Sequence, residues 1–575
     1  MRRKANTARR KVLHLRRLPF ALLPLVLLLP ILGAQAVTLE VQAPDEIGEL
    51  LEPYLPHDEQ ASPTRIHQLS GEILATEGYF SPQIDVEPRD DVLYLRIDPG
   101  QRTRVDRVDV AVDGPLDPKT RESLIAAWGL PSGQPFRQND WNDAKQHLLA
   151  ALLAENHAAA RLVDSQAEID PETHRADLKA HYDAGPRYRF DELRIEGLQR
   201  YSPELIARYN REVTPGTPYS EARLGSLQNT LQATPYFSSI QIDIERDTAP
   251  DADGEVSAPV ILRVRERPAH RLAFGVGASS NTGARVEANY HTPDLFRQAW
   301  EFDTGLRLEQ KKQTAYSDIF FPPDSKARRH SVGLMAEGTD IQGLRTERYG
   351  FGVQRVEQRG SIEQRLSLNW QEERRQPDGA LETRSQALVP NVMWTWRQVD
   401  NLLDPHRGIV LQMQVGGASK AVLADRDFVR LHSRVQYFVP LGKVDTLTLR
   451  GEVGYTLADS RQGIPQDYLF RTGGTGSVRG YAYQSLGVRE GSAVVGGRYL
   501  GVLSAEATHW LNESWGIAAF VDAGDAVDAL QKAKMALGYG LGARWRSPAG
   551  PIGVDLAYGQ RTADIQLHFA LAIPF

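Results

Sequence analysis

The sequence has no cysteine among its 575 residues. Disulfides, thiolate metal sites and cysteine nucleophiles are therefore excluded, and an exported chain of this composition needs no oxidation step to fold. Common catalytic signatures are also missing. There is no G-x-S-x-G elbow and no H-E-x-x-H, and the Gly442-Lys443 pair lacks the spacing of a phosphate loop. We predict a protein that is not an enzyme and uses no metal or cofactor. A site built from scattered Asp, Glu and His is the alternative.

Long apolar runs are almost absent, and the one that occurs lies near the start. Residues 1–17 hold eight Lys or Arg and no acidic residue, and a 14-residue apolar run follows from Phe20 to Gly33. Ala34-Gln35-Ala36 then places small residues at the positions that determine cleavage. The run is shorter than the ~20 residues of a spanning helix. We predict an export signal peptide at 1–36, cut after Ala36.

The remaining chain has an excess of acidic charge. The whole sequence has 67 basic and 73 acidic residues, so removal of the eight basic residues at 1–17 changes the net charge from −6 to −14. Nucleic acid is therefore not a predicted partner. A mean hydropathy of −0.40 with 24% charged residues excludes a protein of many membrane helices. The 41% apolar and 8% aromatic residues argue against wholesale disorder.

Composition changes near residue 270. Residues 37–271 contain 12 glycines, whereas residues 272–575 contain 35 and seven of the nine tryptophans. A change in both quantities at one place predicts a boundary between two architectures.

The part before this boundary repeats with a period near 85 residues. A strand-like segment that ends in a Pro or Gly break recurs around Gly100, Gly185 and Pro268. Helical stretches lie upstream of each break, as in 222–242, where Leu224, Leu227 and Leu231 have helical spacing. The pattern therefore predicts that each repeat is a small α+β module with the order strand–helix–helix–strand–strand. The predicted modules occupy 37–100, 101–185 and 186–267.

The second part alternates with a period of two. In 445–457, Leu447, Leu449 and Val453 share one face, while Arg450 and Glu452 lie on the other. A soluble sandwich would alternate similarly. However, mid-strand charges suit a watery lumen, and strands of about 9–14 residues are long enough to cross a membrane at a tilt. At about 19 residues per strand and turn, the 304 residues of 272–575 allow roughly 16 strands. We predict an all-β, 16-stranded transmembrane barrel at 268–575.

A long connection late in this barrel holds an unusual segment. Residues 470–487 place Gly-rich flanks around Val478, Arg479, Gly480 and Tyr481. Such flanks permit positive φ and close packing, so the tip could fold inward. A lone arginine is usually solvated. If Arg479 enters the lumen it needs carboxylate partners, because a guanidinium does not deprotonate.

Candidate partners for Arg479 lie on later strands. Asp522 alternates with Phe520 and Gly524, and Asp555 alternates with Gly553 and Ala557. Each aspartate can therefore point inward from its strand. A bidentate ion pair would hold the loop in one place.

Several of these motifs occur together in one known family. VRGY in a long late loop, F-x-D-x-G at 520–524, GPIGVDLAY at 550–558 and the terminal Phe575 resemble the outer-membrane assembly and secretion barrels that carry POTRA domains. RQVDNLLDPHRG at 397–408 also resembles the family. The resemblance implies that Arg479 locks the inward loop to Asp522 and Asp555. It also implies an outer-membrane location with the modules in the periplasm. GPIGVDLAY departs from the family at Gly553, where related barrels often have an arginine.

The number of modules suggests a group within the family. Barrel-assembly subunits usually carry five POTRA modules, and two-partner secretion transporters usually carry two behind a plug helix. Three modules that begin near the predicted cleavage site resemble the TamA group. This resemblance implies a TamB-like, inner-membrane-anchored periplasmic partner, contact with outer-membrane lipid, and a role in inserting autotransporters and other barrel proteins. A secretion transporter that threads an unfolded passenger, a porin with periplasmic binding modules, and an enzyme are the alternatives.

The final expectation concerns the seam where the first and last strands meet. The strands Leu272–Ser280 and Leu567–Phe575 must pair to close the barrel. Gly275 and Gly277 weaken the first strand, and Pro574 removes a donor from the last. We therefore predict a lateral seam that opens easily. Its residues are Leu272, Phe274, Gly275, Gly277, Phe569, Leu571, Ile573, Pro574 and Phe575.

Overall fold

The chain forms two units, one with two small α/β modules and one with a third module and a barrel. This structure is a computed structural model that describes residues 38–55, 62–89, 92–442, 444–547 and 550–571. The predicted signal peptide at 1–36 lies outside the described residues. Among the helices described, none combines the length and apolar character that crossing a membrane requires.

The first two modules share one order of elements. The first contains β1 (Thr38–Gln42), α1 (Asp45–Leu51), α2 (Pro63–Thr76), β2 (Gln83–Arg89) and β3 (Val92–Asp98). The second contains β4 (Arg104–Asp113), α3 (Pro118–Ala126), α4 (Gln138–Ala154), β5 (Arg161–Asp170) and β6 (Arg175–Asp183). In each sheet the last strand lies in the middle, parallel to the first and antiparallel to the second.

The third module repeats this arrangement. It contains β7 (Arg187–Glu196), α5 (Pro203–Tyr209), α6 (Glu221–Gln232), β8 (Phe237–Ile244) and β9 (Glu255–Glu266), with the sheet order β7-β9-β8. Leu224, Leu227 and Leu231, the leucines at helical spacing, lie on the inner face of α6 and are buried. The prediction of small α/β modules is confirmed; their identity and number as POTRA modules stay predictions.

Local sequence explains where three of these helices begin. Each starts at a proline, whose fixed φ suits the first helical position and whose missing N–H costs nothing there. Ser62 precedes Pro63 and its hydroxyl accepts from the Arg65 N–H at 3.3 Å. Asp117 precedes Pro118 and accepts from the Thr120 N–H at 3.0 Å. Such caps satisfy N–H groups that have no partner inside the helix.

The barrel is one sheet of 16 strands in which every neighbouring pair is antiparallel. The first eight strands are β10 (Arg271–Ser279), β11 (Gly283–Leu295), β12 (Trp300–Glu309), β13 (Lys312–Phe320), β14 (Arg329–Ile341), β15 (Leu344–Arg359), β16 (Ile362–Pro377) and β17 (Thr383–Val399). Next come β18 (Gly408–Ala418), β19 (Phe428–Leu441) and β20 (Asp445–Leu457). A short hairpin of β21 (Val488–Glu490) and β22 (Ala493–Val495) interrupts the series. The last five strands are β23 (Tyr499–Trp510), β24 (Trp515–Val527), β25 (Ala536–Ser547), β26 (Gly550–Gly559) and β27 (Asp564–Leu571).

The two faces of this sheet differ as the alternation predicts. Leu334, Leu503 and Leu541 are exposed on the outer face. Charged side chains such as Glu373 and Arg375 are instead buried toward the lumen. An apolar outside around a polar interior is the arrangement of a barrel in a membrane, and a soluble sandwich would bury its apolar face. The predicted 16-stranded barrel is confirmed.

Candidate functional site

The long connection between β20 and β23 folds back into the barrel. At its tip, Val478, Arg479 and Tyr481 have exposed fractions of 0%, 3% and 1%. A loop tip in solvent would leave most of these side chains accessible. The tip therefore packs inside the lumen, where Val478 and Tyr481 contact Val502 of β23 and Ala536 of β25 in one apolar cluster.

Arg479 lies at the centre of a network of acidic groups. Its Nε donates to Asp522 Oδ2 at 2.7 Å, and its Nη2 donates to Asp522 Oδ1 at 3.0 Å. Its Nη1 donates to Glu506 Oε2 at 2.6 Å and to Asp555 Oδ2 at 3.1 Å. The guanidinium also lies 3.4 Å from the ring centroid of Phe520. The structure thus brings Arg479 together with both aspartates that the sequence singles out, in bidentate geometry with one of them.

Three further side chains complete this network. Arg544 on β25 donates to Glu506 Oε1 at 2.7 Å and to Asp555 Oδ1 at 2.5 Å. Ser504 donates to Asp522 Oδ1 at 2.6 Å, and Arg450 lies 3.9 Å from the same oxygen. Three arginines therefore face three carboxylates, which balances the charge in a buried place where an unpaired ion would be costly.

Sequence reasoning missed Glu506, Arg544, Ser504 and Arg450. The sequence marks them only weakly, because each alternates with apolar residues on its strand, as many other polar residues of the barrel do. The structure places Arg544 directly opposite Gly553 in the ladder of β25 and β26. A Cβ added to Gly553 would lie 3.2 Å from Arg544 Nη1. The glycine thus leaves room for an arginine from the neighbouring strand.

Glycines let the loop approach the barrel wall closely. Gly480 has φ +88°, a conformation that L side chains rarely adopt. A Cβ added to Gly538 of β25 would lie 1.9 Å from the Arg479 carbonyl oxygen. At the same point the Gly480 N–H donates to His568 Nε2 of β27 at 2.9 Å. The loop backbone therefore rests directly on the last three strands.

A second set of contacts anchors other parts of the long loop. Glu490 pairs with Arg375 of β16 at 3.4 Å and with Arg461 at 3.2 Å. The Gln466 N–H donates to Glu373 Oε1 of β16 at 3.0 Å. The loop is thus fixed to opposite parts of the sheet, the middle strands and the last strands.

The seam between the first and last strands is weakly closed. Among the described residues, β10 and β27 share no backbone ladder. The Ser280 hydroxyl instead bonds the Phe569 backbone, accepting from N at 3.3 Å and donating to O at 3.4 Å. Within the described residues, the two strands predicted to close the barrel thus meet through a side-chain contact and not through a ladder.

The seam residues lie on both faces of the first strand. Leu272 and Phe274 point outward, with exposed fractions of 67% and 80%. Gly275 and Gly277 alternate with them, and an added Cβ would lie 2.8 Å from Glu287 Oε1 and 2.9 Å from Arg285 Nε respectively. On the last strand, Leu571 is the final described residue. The remaining seam residues, Ile573, Pro574 and Phe575, lie outside the described residues.

The long loop contacts both sides of this seam. Thr475 donates its hydroxyl to Asn281 Oδ1, just after β10, at 3.1 Å. Gly480 reaches His568 of β27, as described above. The loop therefore connects two strands that share no ladder within their described residues.

One group of metal-ligand side chains occurs in the described part of the chain. His291, Glu301 and Asp303 offer ligand atoms within 4.8 Å of one another. His291 Nδ1 lies 2.7 Å from Asp303 Oδ1, and Arg329 donates to Glu301 Oε2 at 2.8 Å. Because an arginine already neutralises one carboxylate, we assign no metal to this group.

These features define a class of protein: an outer-membrane β-barrel with α/β modules before it and an inward-folded loop. Residues 269–575 match the model of the Omp85 superfamily domain. This match covers more than half of the chain, so the chain belongs to the Omp85 superfamily. Members of this superfamily are outer-membrane assembly or secretion barrels.

Two curated relatives are outer membrane protein assembly factors BamA. The protein of Neisseria meningitidis serogroup B is 23% identical over 462 residues, which cover 71% of this chain and 55% of the relative. That of Nitratidesulfovibrio vulgaris is 23% identical over 511 residues, which cover 83% of this chain and 62% of the relative. The chain thus spans less than two thirds of either relative.

A solved structure has the same fold. BamA from Haemophilus ducreyi lacking POTRA domains 1–3 aligns with a TM-score of 0.68 at 16% identity, covering 81% of this chain and 99% of that one. At this identity the likeness concerns the fold alone.

Proposed function

We propose that this protein inserts other β-barrel proteins, autotransporters among them, into the outer membrane. The observation that carries the proposal is the seam, where β10 and β27 share no ladder among the described residues. An incoming strand cannot cross hydrocarbon with unpaired backbone groups, because each costs several kcal/mol. The free edges of β10 and β27 would satisfy these groups by strand addition.

The inward loop supports insertion over secretion. The tip at Val478 to Tyr481 and the ion pairs of Arg479 occupy the lumen between β20 and β27. A passenger threaded through the lumen would have to displace this network. Insertion at the seam leaves the network in place and requires no nucleotide, metal or covalent step, so we propose no enzymatic activity.

Within the superfamily we propose a TamA-like role. Support comes from the three modules with one order of elements and from the VRGY loop. In this role the modules are POTRA modules in the periplasm, 1–36 is a cleaved signal peptide, and the partner is a TamB-like protein anchored in the inner membrane. The sheet edges of the modules offer places for strand addition by substrate or partner.

Surface display of an autotransporter tests this function. A strain that lacks the gene should lose display, and a plasmid copy should restore it. A plasmid copy with Arg479→Ala is expected to restore it only in part. Normal display of every exported barrel protein in the deletion strain would contradict the proposal. Recovery of a large inner-membrane-anchored periplasmic protein by cross-linking would support the TamA-like role over the secretion alternative.

A further inference from the structure

A cationic cavity lies where the third module meets the barrel. It has a volume of about 350 Å³ and opens between α5, α6 and the turn at 321–328 that joins β13 to β14. The lining includes Arg208, Arg211, Arg223, Arg329, Tyr209 and Leu227. Four arginines and one glutamate, Glu212, are the charged groups of this lining.

Most of this positive charge has no carboxylate partner. Arg329 pairs with Glu301 at 2.8 Å. Arg211 donates to the Ser325 carbonyl at 3.3 Å, and Arg223 donates to the Pro218 carbonyl at 3.1 Å. Arg208, Arg211 and Arg223 make no ion pair with any residue that the structure describes.

A nearby acid does not compensate this charge. Asp324 belongs to the same turn but is held by Arg328 at 2.7 Å. That bond holds the pKa of Asp324 well below its usual range. Its charge is therefore already matched within the turn. Three arginines without a described ion pair therefore share one lining with a single carboxylate, that of Glu212. Excess charge of one sign on a cavity wall favours a bound anion.

The position of the cavity indicates which anion is available. The turn at 321–328 lies at the end of the barrel where the third module joins β10. Trp300 and Phe321 contact each other beside it, with ring centroids 4.8 Å apart. Aromatic side chains at strand ends mark the level of lipid headgroups in outer-membrane barrels. Phosphate is the anion that this level supplies, and the planar fork of arginine suits it.

We propose that this cavity binds a phosphate ester, supplied by the headgroup of an anionic phospholipid on the periplasmic side of the membrane. Arg208, Arg211 and Arg223 hold the phosphate oxygens, and Tyr209 and Leu227 provide an apolar wall for the glycerol portion. The site is independent of the proposed function, because lipid binding can be measured without any assembly substrate.

Binding to the full-length protein in dodecyl maltoside tests this site. The probes are dihexanoyl phosphatidylglycerol, dihexanoyl phosphatidylcholine and sodium phosphate, measured by isothermal titration calorimetry. We expect phosphatidylglycerol to bind at least tenfold more tightly than phosphatidylcholine, whose choline the arginines repel. The combined variant Arg208→Gln, Arg211→Gln and Arg223→Gln should lose at least tenfold in affinity. Arg208 makes no described ion pair, so Arg208→Gln alone breaks none. This single variant should bind phosphatidylglycerol severalfold more weakly than the wild type.

A matched control separates this site from general charge. Arg65→Gln, Arg107→Gln and Arg265→Gln together remove the same charge from exposed arginines of the modules, and this variant should bind as the wild type does. Sodium phosphate binding as tightly as phosphatidylglycerol would support the site and assign its ligand to the free anion. Unchanged binding by the cavity variant would overturn the proposal. Binding of a polyglutamate peptide, without binding of phosphatidylglycerol or sodium phosphate, would also overturn the proposal.

Discussion

At the scale of single residues, Arg479 joins the tip of the long loop to three strands of the barrel. It reaches three carboxylates on β23, β24 and β26, and its own partners are further bonded to Arg544 and Ser504. The side chain is only 4% exposed and Asp522 is 0% exposed. Removal of one member of a buried pair is strongly destabilising, because the other charge stays behind without a partner.

Arg479→Ala should therefore loosen the loop and destabilise the barrel. Loss of a buried partner typically costs ~3–5 kcal/mol, and water in the lumen should reduce this value. We expect a lower melting temperature and faster cleavage by proteinase K between residues 471 and 489. Arg489→Ala is the control, since Arg489 is exposed and its side chain, among the described residues, donates only to the Ser492 carbonyl. Equal cleavage of the Arg479→Ala variant and the wild type would show that Arg479 does not hold the loop.

Gly538→Ala should displace the loop without a change of charge. The added methyl would lie 1.9 Å from the Arg479 carbonyl oxygen, so either the loop or β25 must move. Overpacking of this kind costs about 1–3 kcal/mol. Gly501→Ala on β23 is the matched control, since its Cβ would meet no atom within 4 Å. Both variants are compared by thermal unfolding, and equal melting temperatures would contradict close loop packing.

The sequence could predict only part of this network. Arg479, Asp522 and Asp555 stand in distinctive motifs, and strand alternation indicates which way the aspartates point. Glu506 and Arg544 could not be selected, because period-two alternation places many polar residues in the lumen and does not say which of them meet. The meeting depends on strand register: Arg544 lies opposite Gly553, and Asp522 lies opposite Ser504.

At the scale of elements, the long loop connects β10 and β27, which share no ladder in the part of the chain that the structure describes. It bonds Asn281 through Thr475 on one side of the seam and His568 through Gly480 on the other. Removal of one of these two hydrogen bonds should loosen the strand that it holds and leave the ion-pair network of Arg479 intact.

Asn281→Ala should loosen β10 selectively. The change removes the acceptor of Thr475. Among the described residues, β10 and the turn after it then keep the ladder with β11 and the contacts of the Ser280 hydroxyl. We expect faster hydrogen exchange in Arg271–Ser279, with the melting temperature close to that of the wild type. Asn369→Ala is the control, since it removes one side-chain hydrogen bond to Ser367 on β16, away from the seam. Unchanged exchange in β10 would show that the loop does not hold this strand.

Elements were predictable where the pattern is strong. The leucines of α6 and the alternation of β20 follow from periodicity alone. The number of strands follows from the length of the second part and a typical length of strand and turn. The seam is different. Alternation predicts two edge strands that must meet, but Gly275 and Gly277 offer few side-chain contacts, and the last strand is described only to Leu571. Glycines and a proline in these strands indicate a weak seam, but they do not indicate which side chain bridges it. The contact of Ser280 with Phe569 depends on how the two strands meet when the barrel closes.

At the scale of the whole molecule, the inward loop leads us to expect a barrel that conducts ions poorly. The wild-type protein in a planar lipid bilayer should show low conductance, because the loop and its ion pairs occupy the lumen. Replacement of 470–487 by a short Gly-Ser linker should raise the conductance severalfold. Replacement of 529–534, the connection between β24 and β25, is the control and should have little effect. High conductance of the wild-type protein would favour a secretion transporter.

We propose that the barrel acts by opening at its seam. Ser280→Cys with Phe569→Cys places thiols at the contact that joins β10 to β27, and they are the only thiols in the protein. Leu272→Cys with Tyr290→Cys is the control, because it joins β10 to its ladder neighbour β11 and leaves the seam free.

The decisive measurement is autotransporter display by cells that carry each oxidised pair, before and after reduction. We expect the seam disulfide to abolish display and reductant to restore it, whereas the control pair should have no effect in either state. Full display with the seam disulfide intact would contradict lateral opening.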